Sequence, residues 1–283
     1  NKYLNMKNRK NNLIDDFGEE WNKFDQLKID QSINEEIFNK YFKIFPWALI
    51  NNESVGMDVG AGSGRWSYFM AEKVQKLYLI EPSSKAINVS KKNLSRYFNI
   101  EYINTDANDI PLQDDTIDFC YCLGVLHHIP NIKKALNGIN KKLKVNAPLL
   151  IYIYYSFENK PLWFRIIWRL TDIFRIIISR MPFFIKSKIC DLIAFLVYFP
   201  LSRISKIFRN FGFNVKNFPL SFYSNKSIYV LRNDALDRFG TKIEQRLSKQ
   251  QITDLLKQTG FNNISFSDEE PYWCAISYKE KNI

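Results

Sequence analysis

The sequence has 283 residues, 46% of them hydrophobic and 24% charged, with a net charge of +11. That apolar share excludes global disorder and suffices for one large α/β domain with an insertion or two. The charge points either to an anionic partner (nucleic acid, phospholipid headgroups or a phosphorylated substrate) or to the Lys-, Asn-, Ile- and Phe-rich composition that an AT-rich genome imposes.

The first residues are polar and carry no apolar signal-peptide core, and residues 1–50 are predicted helical. Apolar residues recur there at three- and four-residue spacings in "DFGEEWNKFDQ" and "EEIFNKYFKIFPWALI", until Pro46 ends the pattern. From Val55 the pattern alternates. The strand "VGMDV" leads to a helix over 63–73, then to the strand "KLYLIE" and a helix over 83–96. The strands "IEYINT" and "TIDFCYCLG", a helix over 131–144 and the buried strand "APLLIYIYY" follow. Such alternation implies a parallel sheet wound with helices. Residues 157–212 carry aromatic, apolar and basic residues without a strand signal, and 213–247 have no clear pattern. Order returns at "SKQQITDLLKQTG", where Ser248 and Gln251 make a capping box and Gly260 suits the helix end. The strands "FNNISFS" and "YWCAISYK" are close enough in sequence to pair antiparallel.

The four cysteines lack zinc-ligand spacing, and the chain has only two histidines, so no metal site is expected. Cys120 and Cys122 share one strand face and read as buried thiols in a reducing compartment. The longest charge-free run in the apolar middle, Leu192 to Ser202, is shorter than the ~20 residues of a spanning helix. The expected location is cytoplasmic, with peripheral attachment at the inner membrane face as a further expectation.

The stretch Asp58-Val-Gly60-Ala-Gly62-Ser-Gly64 follows a strand and precedes a helix. Glycines let backbone approach a ligand closely. The G-x-G-x-x-G pattern fails at Arg65, and no Gly-Lys-Ser/Thr is present for a phosphate loop. Glu81 ends the second strand, 23 residues after Asp58, where a carboxylate can accept from ribose hydroxyls. "NTDAND" and "IPLQDDTIDFCYCLGVLHHIPN" come next.

In this order the four motifs resemble the Rossmann-like, class I S-adenosylmethionine-dependent methyltransferases, type-11-like subgroup, over residues 54–155, with the late helix and hairpin over 248–279 agreeing. The resemblance implies a seven-stranded, mostly parallel α/β sheet with a C-terminal antiparallel hairpin and a helical insertion after strand five. The implied domain spans 51–156 and 245–283, preceded by an N-terminal helical segment (1–50) and interrupted by an insertion or lid (157–244). It implies S-adenosylmethionine as cofactor, held by Asp58, Gly60, Gly62, Gly64, Glu81, Asp106, Ala107 and Leu123. "FGEEW", "DALDRFGT" and "PYWCA" further resemble a bacterial subset associated with surface-polysaccharide or secondary metabolism.

Methyl transfer is an in-line displacement in which the protein mainly supplies alignment. His127 and His128, at the carboxyl edge of the sheet, are the candidate bases for a hydroxyl acceptor, or else brace the turn. Tyr154, Tyr155, Tyr223, Arg238, Tyr272 and Trp273 are candidate pocket residues, each with a packing role as alternative. Adenine amino-methyltransferases carry an Asp/Asn-Pro-Pro-Tyr/Phe tetrad where this chain reads "CLGV", and cytosine C5 enzymes need a Pro-Cys that is absent. A nucleic-acid substrate is therefore disfavoured.

Between Lys160 and Arg209 ten Lys or Arg stand against Asp172 and Asp191. Trp163, Ile166, Ile167, Leu170, Phe174 and Ile177 share one face of a predicted helix, and Arg165, Arg169, Asp172 and Arg175 another. Residues 160–210 thus read as a lid, a helix in an anionic membrane interface, or a dimer interface. The expected activity is O-methylation of a small-molecule, glycan or lipid-linked acceptor. The alternatives are C-methylation of a prenylated quinone or other lipid, and a non-catalytic, membrane-docked scaffold that binds the cofactor.

Overall fold

The computed structural model describes residues 2–26, 29–215 and 217–281. Asn1, Leu27, Lys28, Lys216, Asn282 and Ile283, which the expected segments include, lie outside the described residues. Two helices come first, α1 (Lys2–Lys23) and α2 (Gln31–Tyr41). The alternating stretch runs β1 (Val55–Val59), α3 (Ser67–Met70), β2 (Lys76–Ile80), α4 (Ser84–Asn93), β3 (Ile100–Ile103), β4 (Phe119–Leu123), α5 (Ile132–Lys142) and β5 (Pro148–Tyr152). Then come α6 (Leu162–Ile178), α7 (Phe183–Ile193), a π-helical turn (Ala194–Tyr198), α8 (Phe199–Asn210), α9 (Ile228–Gly240), α10 (Lys249–Gln258), β6 (Phe261–Phe266) and β7 (Cys274–Lys279). They divide into two compact units, one made of Trp21–Ser156 with Ile243–Ile283, the other of Asn1–Glu20 with Phe157–Lys242.

The first unit holds a seven-stranded sheet of order β3-β2-β1-β4-β5-β7-β6, parallel through β5 and antiparallel at β7 and β6. This is the expected α/β architecture. Side chains alternate across it. Phe119, Tyr121 and Leu123 of β4 enter one core with Leu77, Leu79, Phe38 and Phe42. Cys120 and Cys122 enter the other with Met57, Leu136, Ile139, Ile252 and Leu256. Both faces are covered, so strands such as "FCYCL" are buried throughout. Ser248 and Gln251 exchange the capping-box hydrogen bonds at the start of α10. All four cysteines are free and buried.

Several expected elements are shorter, two of them for a visible reason. The helix expected over 63–73 is only α3 followed by a 3-10 turn, because Gly62 and Gly64 at φ +53° and +77° hold residues 62–64 out of helical geometry. β3 stops at Ile103, and the Asn104 amide then donates to the carbonyls of Glu81 and Pro82.

In the second unit α9, invisible in the sequence pattern, packs against α6, α7 and the π turn. Its interior is polar to an unusual degree. Arg175 is buried, donates to Asp172 at 2.6 Å and to the Thr241 carbonyl at 3.0 Å, and so does not join Arg165 and Arg169 on the exposed face as expected. Arg238 reaches the same Asp172 at 3.2 Å. Lys186, 1% exposed, pairs with Asp16 at 2.8 Å and donates to the Gly240 carbonyl at 3.1 Å. Arg175→Glu is expected to destabilise this unit by ~3 kcal/mol, as breaking buried pairs does, and Arg169→Glu, at the surface, by under ~0.5 kcal/mol. Urea midpoints of the two variants measure the difference.

Candidate functional site

The carboxyl edge of the sheet is built around the loop after β1. Gly60, Gly62 and Gly64 all have positive φ. A Cβ at Gly60 would sit 2.4 Å from Val125 Cγ2, one at Gly62 2.7 Å from the Trp21 indole, and one at Gly64 2.5 Å from Leu94 Cδ1. The loop therefore presents bare backbone, wedged from outside by three side chains. The Asn93 amide ties it down further, donating to the carbonyls of Ser63 (2.9 Å) and Asp25 (2.8 Å).

Two carboxyl groups flank this backbone. Asp58, at the end of β1, is buried, and the Ser67 hydroxyl donates to it at 2.5 Å. The Tyr121 hydroxyl lies 3.2 Å from Ser67 Oγ and completes a polar triangle inside the core. Glu81, at the end of β2, accepts from the backbone N–H of Gly62 (3.1 Å) and of Ser83 (2.9 Å). Burial pushes each carboxyl up to about 7, against the opposing pull of these hydrogen bonds. No phosphate would be welcome beside them. A ligand that offers hydroxyl donors and a cationic group fits this donor set.

Further along the edge, Asp106 accepts from the Asn108 N–H at 2.8 Å. Ala107 is buried, and Gly138 of α5 approaches its carbonyl so closely that a Cβ would lie at 2.2 Å. Leu123 ends β4, buried. After it comes a short 3-10 turn with both histidines. His127 is fully buried and stacks on Tyr154 at 3.7 Å. Its Nδ1 accepts from the Tyr154 N–H at 3.4 Å, and its Nε2 has no hydrogen-bond partner among the described residues. Burial, then the charges of His128 and Arg246, hold its pKa well below the usual histidine value, so the ring is neutral. His128 Nδ1 lies 2.7 Å from the Ile243 carbonyl, which makes Nδ1 the donor.

Segment 243–247 closes this side. Gln245 N–H donates to the His127 carbonyl, Leu247 N–H to the Tyr154 carbonyl, and the Gln245 amide to the Ile129 carbonyl. Arg246 lies over the Tyr154 ring at 4.8 Å and pairs with Glu244 at 2.7 Å. Tyr155 packs at 5.6 Å from Tyr272 and 6.3 Å from Trp273, which touch each other.

The structure thus gathers Asp58, the three glycines, Glu81, Asp106, Ala107, Leu123, both histidines, Tyr154, Tyr155, Tyr272 and Trp273 within the sheet unit. Tyr223 and Arg238 belong to the helical unit, where Tyr223 packs on Tyr198 and Arg238 serves Asp172 and lies over Trp168. Sequence reasoning missed Ser67, Tyr121, Trp21 and Arg246. Only Trp21 had a signal, its place in "FGEEW".

The shifted carboxyls set a pH dependence. Unfolded, they ionise near ~4. Between there and about 7 the native state holds the extra protons, so their contribution to stability is lost as pH rises through about 7. Glu81→Gln is expected to flatten that loss, by on the order of 1 kcal/mol or more between pH ~5 and ~8. Urea midpoints of wild type and variant at the two pH values measure it.

Comparison with known proteins agrees with the geometry. Residues 57–151 match a family described as "Methyltransferase domain". The uncharacterized methyltransferase YcgJ of Bacillus subtilis is 23% identical over 108 residues, 38% of this chain and 43% of that protein. The tRNA U34 carboxymethyltransferase of Nautilia profundicola is 28% identical over 177 residues, 53% of this chain and 59% of that one. The ubiquinone/menaquinone biosynthesis C-methyltransferase UbiE of Rickettsia prowazekii is 28% identical over 97 residues, 31% and 39% of the two chains. The chain spans less than two thirds of the length of each. Motifs, strand order and domain match agree that residues 57–151 form a methyltransferase domain of the Rossmann-like, class I S-adenosylmethionine-dependent kind.

Proposed function

We propose that the chain transfers the methyl group of S-adenosylmethionine to a small-molecule, glycan or lipid-linked acceptor, by O-methylation. One observation carries the reading: two buried carboxyl groups, Asp58 and Glu81, flank a loop of bare backbone at the carboxyl edge of a sheet ordered β3-β2-β1-β4-β5-β7-β6. The cofactor supplies a methyl group on a sulfonium centre, with the thioether as leaving group. Glu81 is proposed to accept from the ribose hydroxyls, exchanging one of its present backbone donors for them. The glycine loop and Asp58 then serve the amino acid end, Asp106 and the Ala107 N–H the adenine, and Leu123 lies against the ring.

His128, whose Nδ1 faces the Ile243 carbonyl, is proposed to take the proton from the acceptor hydroxyl as oxygen bonds to the methyl carbon. His127, stacked and buried, braces the turn and is the second candidate base. Tyr154, Tyr272 and Trp273 are the proposed acceptor contacts. The proposed location is the cytoplasm, at the inner membrane face. Free, buried thiols suit its reducing conditions, and among the described residues no helix is long and apolar enough to cross a membrane.

The similarity to a quinone C-methyltransferase favours a second reading, C-methylation of a prenylated quinone or other lipid. The similarity to a tRNA-modifying enzyme covers more of the chain and makes RNA the acceptor class most in need of direct exclusion. Methyl-labelled S-adenosylmethionine, supplied with a fractionated lysate, tests all of these. Label is expected in the lipid or glycan fraction, and label in RNA overturns the acceptor class. Saturable cofactor binding with no transfer anywhere supports the non-catalytic scaffold instead.

Two further outcomes test the site itself. Gly62→Val, which drives Cβ into the Trp21 indole at positive φ, is expected to abolish S-adenosylhomocysteine binding by calorimetry. Wild-type affinity for that ligand is expected to rise severalfold from pH ~6 to ~8, because binding to an ionised Glu81 draws down a pKa near 7, and Glu81→Gln to weaken that dependence to what Asp58 contributes.

A further inference from the structure

The helical unit wears its apolar side outward. On α6, Leu162, Trp163, Ile166, Ile167, Leu170, Ile173, Phe174 and Ile177 are all exposed, Phe174 by 61%. The opposite side of the same helix carries Thr171, Asp172, Arg175 and Ser179, with Arg175 and Ser179 buried. The inversion continues beyond α6. Phe184 and Ile185 of α7 are exposed while Lys186 and Ser187 are buried, and in α8 Ile204, Ile207 and Phe208 are exposed while Ser202 and Ser205 are buried. In the π turn Phe195, Leu196 and Val197 face out and Ala194 and Tyr198 face in.

The exposed charge on these helices has one sign. From α6 to α8 Arg165, Arg169, Arg180, Lys188, Lys206 and Arg209 are exposed and no Asp or Glu is, the exposed acids Asp15 and Glu158 of this unit lying outside those helices. Asp172 and Asp191 are committed to Arg175, Arg238 and Arg232 within the unit. Arg165 and Arg169, four apart, form one row along the flank of the apolar stripe. A second copy of the chain is a poor cover, since an isologous contact sets these cations against themselves. An anionic bilayer satisfies both features at once: headgroups meet the flanking cations, and acyl chains receive the aromatic and aliphatic side chains.

We infer that helices α6, α7 and α8 with the π turn form a bilayer-docking surface that lies in the interface and inserts its apolar face among anionic lipids. The surface stands independently of the methyltransferase reading. Attachment is hydrophobic first and electrostatic second. Salt therefore weakens it without abolishing it, which separates it from adsorption by basic residues alone.

Flotation of the full chain with vesicles tests this. Vesicles of phosphatidylcholine with phosphatidylglycerol are expected to carry the wild type up the gradient, and pure phosphatidylcholine to carry less. Leu170→Glu, Phe174→Glu and Leu196→Glu together are expected to weaken flotation at least ~10-fold. All three side chains are exposed, so circular dichroism and S-adenosylhomocysteine binding should match the wild type. Arg165→Gln, Arg169→Gln and Lys206→Gln together should narrow the preference for the anionic vesicles, Arg180, Lys188 and Arg209 remaining, and leave binding to both. The inference is overturned if the wild type stays behind with both vesicle types. It is equally overturned if the glutamate variant floats as well as the wild type, or if the wild type dimerises without lipid and the glutamate variant does not, which assigns the face to a second copy. Loss of cofactor binding in the wild type alongside normal flotation would sink the catalytic reading and leave this one standing.

Discussion

The burial of two carboxyl groups at the end of β1 and β2 is the constraint on which the site depends. Asp58 and Glu81 are held away from water by the side chains and loop around them, and each keeps a hydrogen-bond donor supplied by the chain itself. An unpaired charge there would be costly, so both groups sit near the midpoint of their titration at neutral pH. That balance explains the neighbours. Ser67 and Tyr121 belong to different elements and meet only because Asp58 needs a donor inside the core. The glycine loop must turn with positive φ to bring the Gly62 N–H to Glu81.

The helical unit solves the opposite problem. Most domains bury apolar side chains and leave charge outside. Here the charged groups inside are paired: Arg175 and Arg238 share Asp172, Lys186 meets Asp16, and the Asn233 amide donates to Glu20. Burial foremost, with the charges of Asp237 and Asp234, drives the Glu20 carboxyl well above its usual range. Such a polar interior gives little net stability compared with apolar packing, but it fixes one arrangement of the helices, because every alternative strands a charge.

The sheet was legible because its signals are local. Alternating strands and helices, the glycines after β1, the capping box at Ser248 and the closing hairpin all declare themselves within a few residues. The donor triangle of Asp58, Ser67 and Tyr121 was not, since it joins three elements through space. Arg246 was missed for the same reason: its ring partner, Tyr154, lies 92 residues away. Helix α9 escaped because its buried side includes Asn233 and Gly240, which blur an apolar period. The helical face of α6 was read correctly as two-sided, yet periodicity alone cannot say which side turns inward. Arg175 decided that question through the carbonyls of Thr241 and Lys242, far away in sequence.

The antiparallel strand β7 lies between β5 and β6, although residues 157–242 of the helical unit separate it from β5 in the chain. During synthesis β5 is finished long before its neighbour exists. Its buried residues Leu149, Leu150 and Ile151 then form an open edge, ready to pair with any strand that passes. Closing that edge requires a contact of high sequence separation, which is slow to form. A ribosome pausing in the helical segment would lengthen that exposure. Chaperone dependence, and yield on overexpression, should therefore follow the time taken to deliver β7 more closely than the stability of the finished sheet.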